Sequence, residues 1–321
     1  MSKLTVIILT LNEEKHLERA LRSVAPIADQ TFVIDSFSTD RTVEIAGHYG
    51  ACVLQNKFVN QARQFQWALK NAPVKSDWIM RLDADEYIEP DLVYEIRTKL
   101  YTLPSDVTGV NLKRKLIFMG KAIKHGGRGT LIMTRIWRKG VGEIEDRWMD
   151  EHIYVREGRT VTFDGGFADH NLNGLSSFTE KHNKYATREA IEILNRRFHF
   201  MRPTATLSRE GTSSQVAAKR FLKEHLYNRV PFQVSALAYF LYRYFILLGF
   251  LDGKEGLIYN VLQGFWYRFL VGARTEELTR AIADLGSADL IAEELSRLTG
   301  LKIEHFSAAI TSQGLNASFE T

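Results

Sequence analysis

The sequence predicts an α/β fold organised around a parallel sheet, and two observations predict it. Short apolar, β-branched runs alternate with stretches of helical spacing through the first hundred residues. Polar and acidic residues collect where those runs end, which is where ligands bind in sheets of this kind.

Residues 4–11 form a nearly continuous apolar run, the pattern of a strand buried on both faces. Leu17, Ala20, Leu21 and Val24 follow at helical spacing. A second strand is expected over 31–35, ending in Asp35. Asp40 is placed to cap the next helix, which carries Val43, Ile45, Ala46 and Tyr49. Residues 51–54 read as a third strand and 60–71 as a helix with Ala62, Phe65, Ala68 and Leu69 near one face. A fourth strand, 78–82, runs into Asp83-Ala84-Asp85, and Pro90 suits the first turn of a further helix. Strands and helices at this spacing imply right-handed crossovers between parallel strands.

Composition excludes several classes. The chain has 321 residues, 45% hydrophobic and 25% charged, so it is neither disordered nor fibrous. One cysteine, Cys52, allows no intramolecular disulfide and no thiolate zinc cluster. A net charge of +4 is no signature of nucleic-acid binding. The apolar start is ended by Asn12-Glu13-Glu14 and lacks a cleavage site, so it reads as a strand of a cytosolic fold and not as a signal peptide. Neither a dinucleotide glycine fingerprint nor a P-loop is present.

The strand ends offer Thr10, Asn12 and Glu13, then Asp35, Ser36 and Ser38, then Asp83 and Asp85. In extended chain, alternate residues point the same way, so Asp83 and Asp85 can face one pocket. Paired carboxylates suit Mg²⁺ or Mn²⁺ bridging to phosphate. Acidic residues at strand ends also commonly just cap the following helix.

Taken together, Leu9-Thr10-Leu11-Asn12-Glu13-Glu14, Val33-Ile34-Asp35-Ser36-Phe37-Ser38-Thr39-Asp40 and Leu82-Asp83-Ala84-Asp85-Glu86 resemble, in order and spacing, the nucleotide-binding motifs of GT-A, family-2 inverting glycosyltransferases. The resemblance runs over about residues 1–274 and implies a nucleotide-sugar donor, with UDP-sugars such as UDP-glucose foremost. It places Thr10, Glu13 and Asp35 on the nucleoside, with Asn12 and Ser38 beside them, Asp83 near the ribose and Asp85 on an Mn²⁺ or Mg²⁺ ion at the diphosphate. It also assigns His170 to the metal, and Gly126 and Gly127 of the loop His125-Gly126-Gly127-Arg128-Gly129 to the neighbourhood of donor sugar and acceptor. A plain hairpin connection is the alternative for that loop. In Trp148-Met149-Asp150-Glu151-His152 the resemblance implies a catalytic base, Glu151 first and Asp150 second. Residues 101–175 otherwise read as loops and short strands, the strands at 107–112, 130–136 and 153–155.

The last third is rich in basic and aromatic residues. Residues 232–251 contain a single formal charge, Arg243, and end at the polar break Asp252-Gly253-Lys254-Glu255-Gly256. A span needs about 20 residues, but a central arginine costs about 2.5–3.5 kcal/mol on insertion scales. Two helices lying in the membrane interface fit better. This region also resembles the C-terminal segment of bacterial enzymes that build lipopolysaccharide core and other lipid-linked glycans. The expected organisation is a catalytic domain over 1–175, linking helices over 176–231, interface helices over 232–274 and a helical tail over 275–321. The expected partners are a nucleotide-sugar, a lipid-anchored saccharide acceptor and the cytoplasmic leaflet of the cell membrane, with self-association left open. Rival readings are a polyprenyl-phosphate glycosyltransferase, a nucleotidyltransferase and a non-catalytic membrane-bound carbohydrate-binding or scaffold protein.

Overall fold

The structure, a computed structural model, describes residues 3–144, 153–201 and 230–303. It divides into two compact units, Met1–Ser176 with Phe240–Val261, and Ser177–Tyr239 with Leu262–Thr321.

The first unit is built on a nine-stranded mixed sheet. Its strands are β1 (Leu4–Thr10), β2 (Gln30–Asp35), β3 (Cys52–Gln55), β4 (Trp78–Asp83), β5 (Glu86–Ile88), β6 (Val107–Phe118), β7 (Lys121–Ile123), β8 (Leu131–Arg138) and β11 (Arg159–Asp169). The order is β3-β2-β1-β4-β8-β6-β11-β5, with β7 against β6. A short ribbon, β9 (Gly142–Ile144) and β10 (Ile153–Val155), stands apart. The first four strands are mutually parallel, as the alternation of runs predicts. Beyond β4 the sheet turns antiparallel at β8 and then mixed.

Both faces of β1 are covered, which explains its unbroken apolar run. Leu4, Val6 and Ile8 join one core cluster and Ile7 the other, following the two-residue period of a strand. Helix α1 (Leu17–Val24) buries Leu17, Ala20, Leu21 and Val24 on the first face. Helix α3 (Gln61–Asn71), capped by Asn60, buries Ala62, Phe65 and Ala68 on the second. Each such side chain contributes roughly 1.5–3 kcal/mol of burial when large. Helix α2 (Thr42–His48) starts where Asp40 accepts the Thr42 N–H at 3.0 Å. Helix α4 (Pro90–Lys99) starts on Pro90 as expected.

In the 101–175 region the strands expected at 107–112, 130–136 and 153–155 are present, as the first half of β6, as β8 and as β10, but two strands run long. Here β6 has 12 residues and β11 has 11. Lys113-Arg114-Lys115 masks the apolar pattern of β6, and Asp164-Gly165-Gly166 sits at a register shift in β11. The 232–251 run is also interrupted. Helix α6 (Phe232–Leu241) passes into a π-helical turn (Tyr242–Ile246), and Leu248 adopts a left-handed conformation (φ 58°). A 3₁₀ turn (Gly249–Asp252) and helix α7 (Gly253–Tyr259) follow, so the expected polar break at 252–256 is largely helical and the chain breaks five residues earlier. Among the described residues no single helix is long and apolar enough to cross a membrane; only the bent pair Phe232–Ile246 and Gly249–Ala281, 72° apart, meets length and composition together.

In the second unit, α5 (Leu175–Phe198) buries Ala186, Ala190, Ile191 and Leu194 at helical spacing. Helix α8 (Tyr267–Ala281) packs Tyr267 and Val271 against Ala186. Helix α9 (Ala288–Thr299) is capped by Ser287 and stopped by left-handed Gly300.

Candidate active site

Three adjacent parallel strands deliver the predicted polar residues to one sheet edge. Thr10 pairs in register with Asp35, and Leu9 with Asp83. Asp35 is fully buried and accepts hydrogen bonds from Thr10 Oγ1 (3.1 Å), the Ser38 amide (2.9 Å), Ser38 Oγ and Gln55 Nε2 (3.1 Å). Burial opposes its charge, but the donors from Ser38, Gln55 and Thr10 prevail and hold its carboxyl below the usual range. A nucleoside contact at Asp35 has to share this carboxylate with those donors. The Asn12 amide (φ 58°) donates to Ser38 Oγ at 2.8 Å, and Asn12 Oδ1 accepts the Thr39 N–H at 2.9 Å. Asn12 and Ser38 therefore staple the first two strand-end loops together. Glu13 is committed elsewhere: its amide donates to Thr42 Oγ1 (2.7 Å) and its carboxylate meets buried His16 Nδ1 at 2.6 Å.

Only Ala84 and Asp85 separate β4 from β5, although three strands stand between them in the sheet order. The sheet must curl, bringing β5 and β11 back over the end of β4. The consequence is a close meeting of distant segments. The His170 amide donates to the Asp85 carbonyl at 3.0 Å, and Asn171 Nδ2 to Asp85 Oδ2 at 3.0 Å. Arg19 Nη1 lies 3.0 Å from His170 Nδ1, and its Nη2 donates to the Asp85 and His170 carbonyls. Buried Arg19 Nε has no hydrogen-bond partner among the described residues. Burial, then neighbouring Arg19 and His16, push the His170 pKa down, which favours the neutral ring.

Asp83 sits in a charge network that sequence reasoning missed. Its carboxylate meets Arg81 Nε at 3.1 Å and Arg135 Nη2 at 3.4 Å, while its amide donates to Glu86 Oε2 at 2.9 Å. Arg135 also donates to Glu86 Oε1 at 2.7 Å. Although burial works against it, the two guanidiniums hold the Asp83 carboxyl well below the ordinary carboxylate range. Glu86 is pushed up to about 8 by burial, with Asp83 and Asp169 adding to the rise and Arg135 opposing it. An arginine inside each of two apolar strands was the available signal.

The metal assignment can be tested against these donors. Asp85 has one carboxylate oxygen with no donor among the described residues, and a single carboxylate plus phosphate and water oxygens is a usual set for Mg²⁺ or Mn²⁺. Asp85 fits. His170 is close, but a guanidinium only donates, so its contact places the neutral ring's hydrogen on Nε2. Ligation by His170 requires Arg19 to withdraw from Nδ1. Among the described residues no group of three or more His, Cys, Asp or Glu side chains is arranged to hold a metal. Gly126 and Gly127 take left-handed φ values of 67° and 71°, which favour glycine. Asp150 and Glu151 lie outside the described residues.

Residues 5–160 match the model of Glycosyl transferase family 2. An uncharacterized glycosyltransferase of Rickettsia bellii is 42% identical over 94 residues, 29% of this chain and 31% of that protein. One from Rickettsia typhi is 38% identical over 96 residues, 30% and 32% of the respective chains. A poly(ribitol-phosphate) beta-N-acetylglucosaminyltransferase of Staphylococcus aureus is 24% identical over 227 residues, covering 61% of this chain and 37% of that protein. The match thus spans about a third of the length of these curated relatives. Among solved structures, glucosyl-3-phosphoglycerate synthase from Mycobacterium tuberculosis, in complex with Mn²⁺, UDP and glucosyl-3-phosphoglycerate, is similar with a TM-score of 0.29 and 23% identity over 36% of this chain and 44% of that one. Over residues 5–160 this chain is thus similar to glycosyl transferase family 2.

Proposed function

We propose that this protein is a metal-dependent, inverting glycosyltransferase. It moves a sugar from a nucleotide-sugar, a UDP-sugar such as UDP-glucose, to a membrane-anchored saccharide such as lipopolysaccharide core or another lipid-linked glycan. The observation that carries the reading is the convergence of Thr10, Asp35, Asp83 and Asp85 on the carboxyl edge of adjacent parallel strands in a region similar to family 2. Thr10, Asn12, Asp35 and Ser38 shape the nucleoside end, and Asp83 the ribose. Asp85 would hold an Mn²⁺ or Mg²⁺ ion, with His170 as a further ligand only if Arg19 withdrew from its Nδ1. Such an ion would supply charge neutralisation at the diphosphate leaving group. Glu151, or its neighbour Asp150, takes the proton of the attacking hydroxyl; this role rests on the sequence.

Attachment to the inner face of the cell membrane has separate support. Within the first unit, Leu241, Tyr242, Phe245, Ile246, Phe250 and Leu251 are all exposed. Such a concentration of large apolar side chains marks an interaction surface. Arg243, the charge that weighs against spanning, is turned inward and buried.

A thermal-shift screen of nucleotide-sugars with and without Mn²⁺ tests the central claim, since a ligand of the native state raises the apparent melting point. The UDP-sugar with Mn²⁺ is expected to give the largest shift, and Asp85→Ala to remove it. An equal shift in that variant overturns the role of Asp85.

A further inference from the structure

The glycine-rich loop is an excursion from a single strand line. Leu116 of β6 pairs with Ile123 on one flank and Asp169 on the other; Arg114 pairs with Leu131 and Phe167. Strands β7 and β8 therefore lie on the same flank of β6, and residues 124–130 leave and re-enter it two register positions apart. The neck is tight, because a Cβ on Gly129 would sit 2.8 Å from the Lys124 carbonyl oxygen. Strand β8 is antiparallel to β4, with Met80 opposite Ile136, so its amino end lies beside the carboxyl end of β4. The loop thus rises at the sheet edge that bears Asp83 and Asp85.

Residues 243–260 of the same unit clasp this loop. Arg243 Nε donates to the Gly126 carbonyl at 2.7 Å, and the Gly126 amide to the Leu247 carbonyl at 2.8 Å. Asp252, 3% exposed, accepts the Lys124 and His125 amides on Oδ2 at 3.0 and 2.8 Å. Its Oδ1 lies 2.8 Å from His125 Nδ1. A carboxylate has no hydrogen to give, so Nδ1 carries a hydrogen, and in the uncharged tautomer this fixes, Nε2 is an acceptor. The His125 side chain is 36% exposed, and its Nε2 has no partner among the described residues.

We infer that Asp252 is a positioning residue that fixes the tautomer of His125, and that His125 Nε2 accepts a hydrogen bond from a sugar hydroxyl at the mouth of the site. The inference rests on the nucleotide-sugar reading above. The hydroxyl belongs either to the donor sugar or to the acceptor saccharide, and binding and turnover separate the two.

The test measures affinity for UDP and for UDP-glucose, each with Mn²⁺, together with transfer turnover, in the full chain. His125→Ala and Asp252→Asn are each expected to lower UDP-glucose affinity or turnover by about 10–100-fold while UDP affinity stays within about twofold. An asparagine at 252 can donate to Nδ1 and so moves the ring hydrogen to Nε2. The double variant should be no worse than the poorer single variant, because both act on one group. His125→Gln, which restores an acceptor, should recover part of the loss. A loss in UDP-glucose affinity assigns the hydroxyl to the donor, and a loss in turnover alone assigns it to the acceptor. Wild-type values in both single variants, or a parallel loss of UDP affinity, overturn the inference. Wild-type protein that binds no nucleotide-sugar overturns the functional reading and this inference with it.

Discussion

Replacing Arg135 with Met should destabilise the first unit by an amount that grows with pH. Arg135 is almost completely buried, gives Glu86 a 2.7 Å hydrogen bond and lies 5.1 Å over the Phe167 ring. Stripping one partner from a buried ion pair costs roughly 3–5 kcal/mol when the other stays charged. Glu86 escapes much of that cost by protonation, since burial already pushes its pKa up to about 8. At about pH 6.5 both proteins carry a neutral Glu86, and the loss is the hydrogen bond to Glu86, the 3.4 Å contact with Asp83, which Arg81 still pairs, and a ring contact, about 1–3 kcal/mol. Above pH 8 the wild-type carboxyl ionises beside Arg135. The variant's carboxyl has no partner and must keep its proton, whereas the unfolded chain, with a glutamate pKa near 4.3, binds none. The folded variant therefore binds one proton more than its unfolded state, and its stability falls by about 1.4 kcal/mol per pH unit where the wild type has levelled off. For the wild type, a raised folded-state pKa means that the Glu86 contribution declines from about pH 4.3 to pH 8 and is constant above. Urea unfolding at about pH 6.5, 8 and 9.5, followed by fluorescence of buried Trp78 and Trp137, reads the difference directly. A penalty that is the same at all three values refutes the reasoning. In a Glu86→Gln background the penalty should lose its pH dependence.

Three other expectations follow from particular contacts. Gly165→Ala puts a Cβ 2.5 Å from the Leu92 amide nitrogen, and because backbone cannot move aside it should cost about 1–3 kcal/mol, read as a lower melting point. Glu151→Ala should cut transfer by about 10²–10⁴-fold with nucleotide-sugar binding intact; near-normal turnover with both Asp150 and Glu151 replaced points instead to an acceptor phosphate that needs no base. Wild-type protein should sediment with anionic liposomes, and exchanging exposed Phe245 and Ile246 for Ser should release it; a wild type that stays in the supernatant counts against peripheral attachment.

The parallel half of the fold was legible because β1, β2 and β4 are largely buried on both faces. Burial on both sides leaves an unbroken apolar run, as in β1, and delivers the motif residues to the strand ends without further information. The antiparallel half was legible only in part, through the strands at 107–112, 130–136 and 153–155. The adjacent Lys113, Arg114 and Lys115 hide the second half of β6, and β11 is broken by glycines at a register shift, so their full lengths show no run. At the site, Thr10, Asp35, Asp83 and Asp85 came from local motifs. Arg81, Arg135 and Glu86 did not, because their meaning lies in pairing across strands far apart in sequence.

The apolar run 232–251 illustrates how tertiary structure reassigns a signal. In sequence, Arg243 is a charge that makes crossing a bilayer costly, and Asp252 is a polar residue ending a helix. In the structure both face inward and hold the glycine-rich loop, through Gly126 in one case and through Lys124 and His125 in the other. The aromatic and aliphatic residues between them are left outside. A buried carboxylate and a buried guanidinium each carry a desolvation cost that only specific partners offset. Among their partners are backbone groups of one loop, the His125 imidazole and, for Arg243, the Tyr259 ring at 5.6 Å. One segment therefore presents an apolar surface on its outer side and holds the glycine-rich loop on its inner side. The two are joined through the same turn at Leu247 and Leu248, where the chain leaves helical geometry and the Leu247 carbonyl accepts the Gly126 amide.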